Sequence, residues 1–79
     1  PNPTNDMSQL SFVVSENMRL RVDLYTMSGT LVQELYEGNA VTGVQYVMDI
    51  DADALSDGMY QVRISSNSYL AVKKLLVAN

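Results

Sequence analysis

Arg19-Leu20-Arg21-Val22-Asp23-Leu24 is the stretch that decides the fold class. Apolar and charged residues alternate strictly, which is the period of a β-strand with one face in a core and one in water. A helix of this sequence would place Leu20 and Leu24 on one side and Val22 on the opposite side, where it could not share their core. Two residues on, Thr26-Met27-Ser28-Gly29 reads as a tight turn, with Gly29 taking the positive-φ position. Residues 31–36, Leu-Val-Gln-Glu-Leu-Tyr, then return as a second strand rich in β-formers.

The same grammar extends in both directions. Upstream, Leu10, Phe12 and Val14 alternate with Gln9 and Ser11 before Ser15-Glu16-Asn17 turns the chain. Downstream, Glu37-Gly38-Asn39-Ala40-Val41-Thr42-Gly43 reads as a longer loop, and Val44, Tyr46, Met48 and Ile50 alternate as the next strand. Residues 51–58 form a connecting turn in which Leu55 plugs the core. Tyr60, Val62 and Ile64 alternate with Gln61 and Arg63, and Ser66-Asn67-Ser68 leads to a last strand over residues 69–77. These are six clear strands; a seventh would come from the N-terminal segment or from a break within a longer strand. The expected fold is all-β, a small Ig-like antiparallel β-sandwich of about seven strands.

Residues 1–8 read as linker and domain entry, and residues 9–79 as the sandwich. Pro1-Asn2-Pro3-Thr4-Asn5-Asp6 has linker composition, which predicts a piece taken from a longer protein at a domain boundary. Leu75-Leu76-Val77-Ala78-Asn79 stops soon after an apolar run, as a natural chain terminus would.

Composition removes whole classes of function. The chain has 79 residues, a net charge of −4, and no cysteine, histidine or tryptophan. That excludes disulfide frames, zinc fingers, haem and iron–sulfur ligation, and Ser-His-Asp or Cys-His catalysis. Five scattered basic residues in an acidic chain make a poor nucleic-acid binder. No apolar run approaches the ~20 residues of a membrane helix.

The order of features resembles a known family, the type A C-terminal sorting domain of the bacterial type IX (Por) secretion system. Pro1-Asn2-Pro3 is similar to the family's entry, and the strand through Leu10 and Val14 to its first strand. Leu24-Tyr25-Thr26-Met27-Ser28-Gly29-Thr30-Leu31-Val32 resembles its apolar-Tyr-x-x-x-Gly-x-x-Val hairpin, and Gly43 sits like its mid-domain glycine. Leu55-Ser56-Asp57-Gly58-Met59-Tyr60-Gln61-Val62-Arg63 is similar to its L-x-x-G-x-Y-x-V-R core, and Lys73-Lys74-Leu75-Leu76-Val77 to its closing basic-basic-apolar signature. Thr30 stands where the family often has a basic residue, Thr26 where it often has Asp or Asn, and the chain ends in Ala78-Asn79 rather than a basic residue.

The resemblance implies a signal rather than an activity. Cargo would cross the inner membrane by its own signal peptide, and the folded domain would then direct it through the outer-membrane translocon or its shuttle protein. A sortase-like cysteine peptidase would remove the domain, leaving the cargo on the cell surface or in the medium. The implied partners are that translocon, the peptidase and the upstream cargo domain of the same chain. Lys73, Lys74, Leu75, Leu76 and Val77 would carry recognition. Gly29, Gly43, Gly58 and Tyr60 would be structural determinants of the recognised fold. No catalytic residue, metal or cofactor is expected.

Other readings of the same residues are weaker. Lys73 and Lys74, being adjacent, point to opposite faces of a strand, and a lysine pair on an edge also blocks unwanted strand pairing. Such an edge suits strand addition by a partner, and an open edge also offers a route to a dimer. Asp49, Asp51, Asp53 and Asp57 are the densest charges, but they miss the EF-hand pattern and read as a solvated loop. Asp49 and Asp51 share a strand face with no cleft to work in. Tyr46 and Tyr60 fall in core phase, whereas Tyr25, Tyr36 and Tyr69 do not. Those three tyrosines carry the competing reading, a passive Ig-like or carbohydrate-binding accessory module of an extracellular enzyme. The five methionines read as core filler.

Overall fold

The computed structural model describes residues 7–78. Six strands run through them: β1 (Met7–Phe12), β2 (Met18–Thr26), β3 (Leu31–Ala40), β4 (Tyr46–Asp51), β5 (Gly58–Ser65) and β6 (Leu70–Val77). One turn of 3₁₀ helix, Ala52–Ala54, separates β4 from β5. All pairings are antiparallel. One sheet has the order β3-β2-β5-β6, and β1 pairs with β4 in the other. The expected all-β antiparallel sandwich is what forms. Of the two sources offered for a seventh strand, residues 1–6 of the N-terminal segment fall outside the described residues, and β1 begins inside the stretch read as entry segment.

The deciding stretch behaves as its period requires. Leu20, Val22 and Leu24 on β2 are buried, with Val22 and Leu24 at 0% exposure. Across the ladder they meet Val62 and Ile64 of β5, also buried. Ile50, Ala52 and Leu55 join the same core, with Leu10, Phe12, Val14 and Met48 packed against it. Leu55 is the plug that its place among aspartates suggested. Each fully buried aliphatic side chain contributes about 1.5–3 kcal/mol, so this cluster dominates the stability of so small a domain.

The β2–β3 turn matches its sequence. Gly29 has φ +96°, and its N–H donates to the Thr26 carbonyl at 3.0 Å. The Thr26 N–H donates to the Thr30 carbonyl at 2.9 Å, and the Thr30 N–H to Thr26 Oγ1 at 3.1 Å. A Cβ on Gly29 would meet nothing within 4 Å. The glycine is therefore required by the backbone torsion and not by crowding.

Several boundaries differ from the sequence expectation. The loop read over residues 37–43 is half strand, because β3 continues to Ala40 opposite Met18. Once β2 begins at Met18, its partner has to lengthen to match, and Arg19 Nη2 meets Glu37 Oε2 at 3.5 Å across the extension. Val44 lies in the following turn, where its N–H reaches the Val41 carbonyl, and it is exposed. Tyr69 precedes β6; its carbonyl accepts the Ser66 N–H at 2.8 Å and closes the β5–β6 turn.

Tyr36, read as outside the core phase, is half-buried and packs against the core. The pairing of β3 on β2 skips Leu35 between Val22↔Tyr36 and Asp23↔Glu34, and skips Val32 between Leu24↔Gln33 and Tyr25↔Leu31. Each skip is a β-bulge, which resets which residues point inward. Adjacent Leu35 and Tyr36 consequently both pack against the core. Tyr36 sits 6.4 Å from Phe12 and 5.7 Å from Tyr46, while Phe12 and Tyr46 stack at 5.4 Å. This cluster joins the two sheets at one end of the sandwich.

Candidate functional site: the β6 edge

The basic-apolar segment Lys73-Lys74-Leu75-Leu76-Val77 ends β6, an outer strand of the four-stranded sheet. Its alternation sorts the five residues by face. Val77 is 2% exposed and belongs to the core, and Leu75 packs against that core. Leu76 is 64% exposed on the opposite face. Lys73 shares the inward phase of Leu75 and Val77, yet it is exposed, as is Lys74 on the outer face. The segment is therefore two things at once. Leu75 and Val77 hold the strand down, and Lys73, Lys74 and Leu76 are what a partner could touch.

The ladder with β5 runs from Ser65↔Leu70 to Gly58↔Val77 without a register shift. It makes one unit of two motifs that are far apart in sequence. Gly58 faces Val77, Met59 faces Leu76, and Tyr60 faces Leu75. Tyr60 is buried and its hydroxyl donates to the Ser56 carbonyl at 2.7 Å, a hydrogen bond back across the corner that starts β5. Thr26 of the Gly29 turn faces Tyr60 on the other side, and Gln61 Nε2 donates to the Thr26 carbonyl at 3.2 Å. Gly29, Gly58, Tyr60 and the terminal segment thus meet at one end of the sheet. Gly43 does not join them; it follows the Ala40 end of β3, where Thr42 N–H donates to Asn17 Oδ1 at 3.0 Å.

Besides Leu76, the outer face carries apolar residues that lie outside the closing basic-apolar signature. Leu70, Val72 and Leu76 of β6 are exposed there, and Met59 of β5 beside them. The sequence signal was present: in Leu70-Ala71-Val72-Lys73-Lys74-Leu75-Leu76-Val77 both alternating phases are mostly apolar, although an edge strand has only one buried face.

The cations are distributed unevenly. Arg19 pairs with Glu37. Arg21 grips Asp23 with two contacts of 3.3 and 3.4 Å and reaches Glu34 at 3.7 Å. Asp23 is only 5% exposed although it lies on the outer face, and its hydrogen bond and its charge, in that order, raise the pKa of the Arg21 guanidinium. Arg63 stacks on the Tyr25 ring at 4.2 Å. Among the described residues, no salt bridge involves Lys73 or Lys74.

The remaining candidates do not assemble into a site. Asp49 accepts from Gln9 at 3.3 Å, and Asp51 caps the 3₁₀ turn by accepting from Asp53 N–H. No group of three or more acidic, histidine or cysteine side chains among the described residues could hold a metal ion. A shallow groove lined by Arg19, Arg21, Glu37 and the Ser66-Asn67-Ser68 turn has its arginines already engaged by carboxylates. Of the three tyrosines of the sugar reading, Tyr36 is taken up in the intersheet cluster and Tyr25 lies beneath Arg63, while Tyr69 is 51% exposed. No helix among the described residues is long and apolar enough to cross a membrane.

Comparison with known proteins adds one finding. The family model described as the secretion system C-terminal sorting domain matches residues 1–78. Searches of curated proteins and of solved structures return no match.

Proposed function

Because this chain belongs to the family of type IX secretion C-terminal sorting domains, we propose that its working surface is the exposed edge of β6, read by the export machinery through Lys73, Lys74 and Leu76. The coarse function follows from membership: the domain is a sorting signal for export to the cell surface or the extracellular space, it works with the type IX machinery and an upstream cargo, and its family is not an enzymatic one. The finer reading is that an outer-membrane translocon or its shuttle protein docks on β6 by adding a strand. A sortase-like cysteine peptidase then removes the domain upstream of β1, and the cargo is anchored or released.

The observation that carries this reading is the state of β6. Among the described residues it is an outer strand paired without a register shift to β5 alone, its lysines are in no salt bridge, and Leu70, Val72 and Leu76 are exposed on its outer face. An outer strand is open to strand addition, and its lysines discourage a second copy while leaving the edge available to a partner of suitable charge. Leu75 and Val77 support the surface from beneath, and Gly29, Gly58 and Tyr60 support the end of the sheet on which it lies.

The test is a reporter export assay. A signal-peptide-bearing fluorescent protein is fused to these 79 residues in a type IX-competent bacterium, beside a fusion lacking residues 73–79. Surface or medium location of the first and periplasmic retention of the second is the expected result. Retention of both, with the full domain folded, would return the accessory-module reading to the front and call for a glycan screen.

A further inference from the structure

Resting on that sorting reading, we infer that the β6 edge selects an extended partner segment with two adjacent acidic residues between apolar ones, and rejects a second copy of this chain. The two outer strands of the four-stranded sheet are not equivalent. β3 carries bulges at Val32 and Leu35, which twist and interrupt its edge, and Glu34 and Glu37 on it are already engaged by Arg21 and Arg19. β6 is paired continuously from Leu70 to Val77, so its free side presents evenly spaced backbone donors and acceptors over eight residues. It is the edge on which a strand can be added.

Charge then specifies the strand. In a chain of net charge −4, the three arginines are engaged, and among the described residues neither lysine is in a salt bridge. A segment laid beside β6 places one residue opposite each lysine, and successive residues face opposite sides of the sheet. Two adjacent carboxylates therefore meet Lys73 on the inner face and Lys74 on the outer face. Apolar residues on either side of them meet Leu76 and Val72 outside, and Leu75 and Ala71 inside.

The same lysines work against self-pairing. Two copies of β6 placed antiparallel about a two-fold axis pair residues of the same sheet face, so the most fully matched registers set Lys73 opposite the other copy's Lys73, or Lys74 opposite Lys74. Two ammonium groups then meet at the two-fold axis, and the other two lie diagonal to each other on the opposite face. A parallel in-register pair sets each lysine against its equivalent. Sliding the antiparallel pair further takes the lysines out of direct opposition but leaves three residues of each strand unpaired. Like charges directly opposite one another are destabilising and unlike charges stabilising, so the edge discriminates by sign while its backbone offers the same hydrogen bonds to all comers.

The Lys73→Glu/Lys74→Glu variant supplies an acidic strand of known geometry. Both positions are exposed, and thermal melting verifies that the variant folds; Lys73→Gln/Lys74→Gln serves as a charge-neutral companion. Sedimentation equilibrium of wild type, of the variant and of their equimolar mixture gives three association constants. The mixture should associate at least about tenfold more tightly than either protein alone, and salt should erase the difference. Amide exchange along β6 should slow only in the mixture. The charge-neutral companion should show no preference between itself and wild type. Wild type that pairs with itself as tightly as with the charge-reversed variant overturns the inference, and so does a mixture that gains nothing.

Export separates this inference from the sorting reading. With the wild-type fusion exported, retention of the charge-reversed fusion supports the inference and its normal export overturns it. Retention of the folded wild-type fusion overturns the sorting reading, while the association constants still decide the charge selectivity of the edge.

Discussion

Val77→Ala and Leu76→Ala remove apolar atoms from neighbouring positions of one motif, yet the structure gives them opposite consequences. Val77 is 2% exposed and lies in the core opposite Gly58, whereas Leu76 is 64% exposed. Val77→Ala deletes two buried methyl groups, about 1.6 kcal/mol at ~0.8 kcal/mol each. Incomplete collapse of the site adds a cavity cost, for a total of about 2–3 kcal/mol. For a domain of this size each 1 kcal/mol lowers the melting temperature by about 4–8 °C, so Val77→Ala should melt at least about 8 °C lower. Leu76→Ala should stay within about 0.5 kcal/mol of the parent. Thermal and urea denaturation, followed by circular dichroism, measure both. The export reporter then reads the other half of the argument. Leu76→Ala should reduce export with the fold intact, and Val77→Ala should reduce export only to the extent that it unfolds the domain. Equal destabilisation by the two substitutions would refute the division of the segment by strand face.

Gly29→Ala should cost about 1–2 kcal/mol from torsional strain alone, since Gly29 has φ +96° and nothing lies within 4 Å of its added Cβ; an unchanged urea midpoint would sink the torsional account. Tyr60→Phe, which loses only the hydroxyl that reaches the Ser56 carbonyl, should cost about 1 kcal/mol, read in the same urea titration. Arg21→Met strips Asp23 of the guanidinium that pairs it, and should be more destabilising by denaturation than Arg21→Met combined with Asp23→Val, which removes both charges. Because the Arg21 pKa is raised, the stability it contributes is fully present below its unfolded-state pKa and is lost only as pH climbs through the folded value. Denaturation midpoints from neutral to mildly alkaline pH should therefore show no loss from this pair.

How much of the site was legible depended on which residues act locally. The Gly29 turn could be read because its torsion is set within five residues. Leu20, Val22 and Leu24 could be read because strand period is a local property that survives into the core. Tyr36 could not, because two bulges shift the inward phase of β3, and a bulge exists only relative to a partner strand. The strand character of Glu37-Gly38-Asn39-Ala40 was hidden for the same reason: its Gly and Asn favour a loop, and pairing with β2 overrides them.

The sequence by itself determined an antiparallel sandwich, excluded chemistry requiring histidine or cysteine, and carried the motifs that mark the family. It also determined that Lys73 and Lys74 point to opposite faces, since adjacent residues on a strand must. Only the tertiary structure decided that β6 is an outer strand, that Gly58-Met59-Tyr60 lies residue for residue against Leu75-Leu76-Val77, and that, among the described residues, every arginine is engaged while neither lysine is in a salt bridge. Periodicity describes a strand's relation to a core that is averaged over neighbours. Which neighbour lies on each side, and therefore which edge and which charges are left for a partner, is fixed only when strands distant in sequence pair.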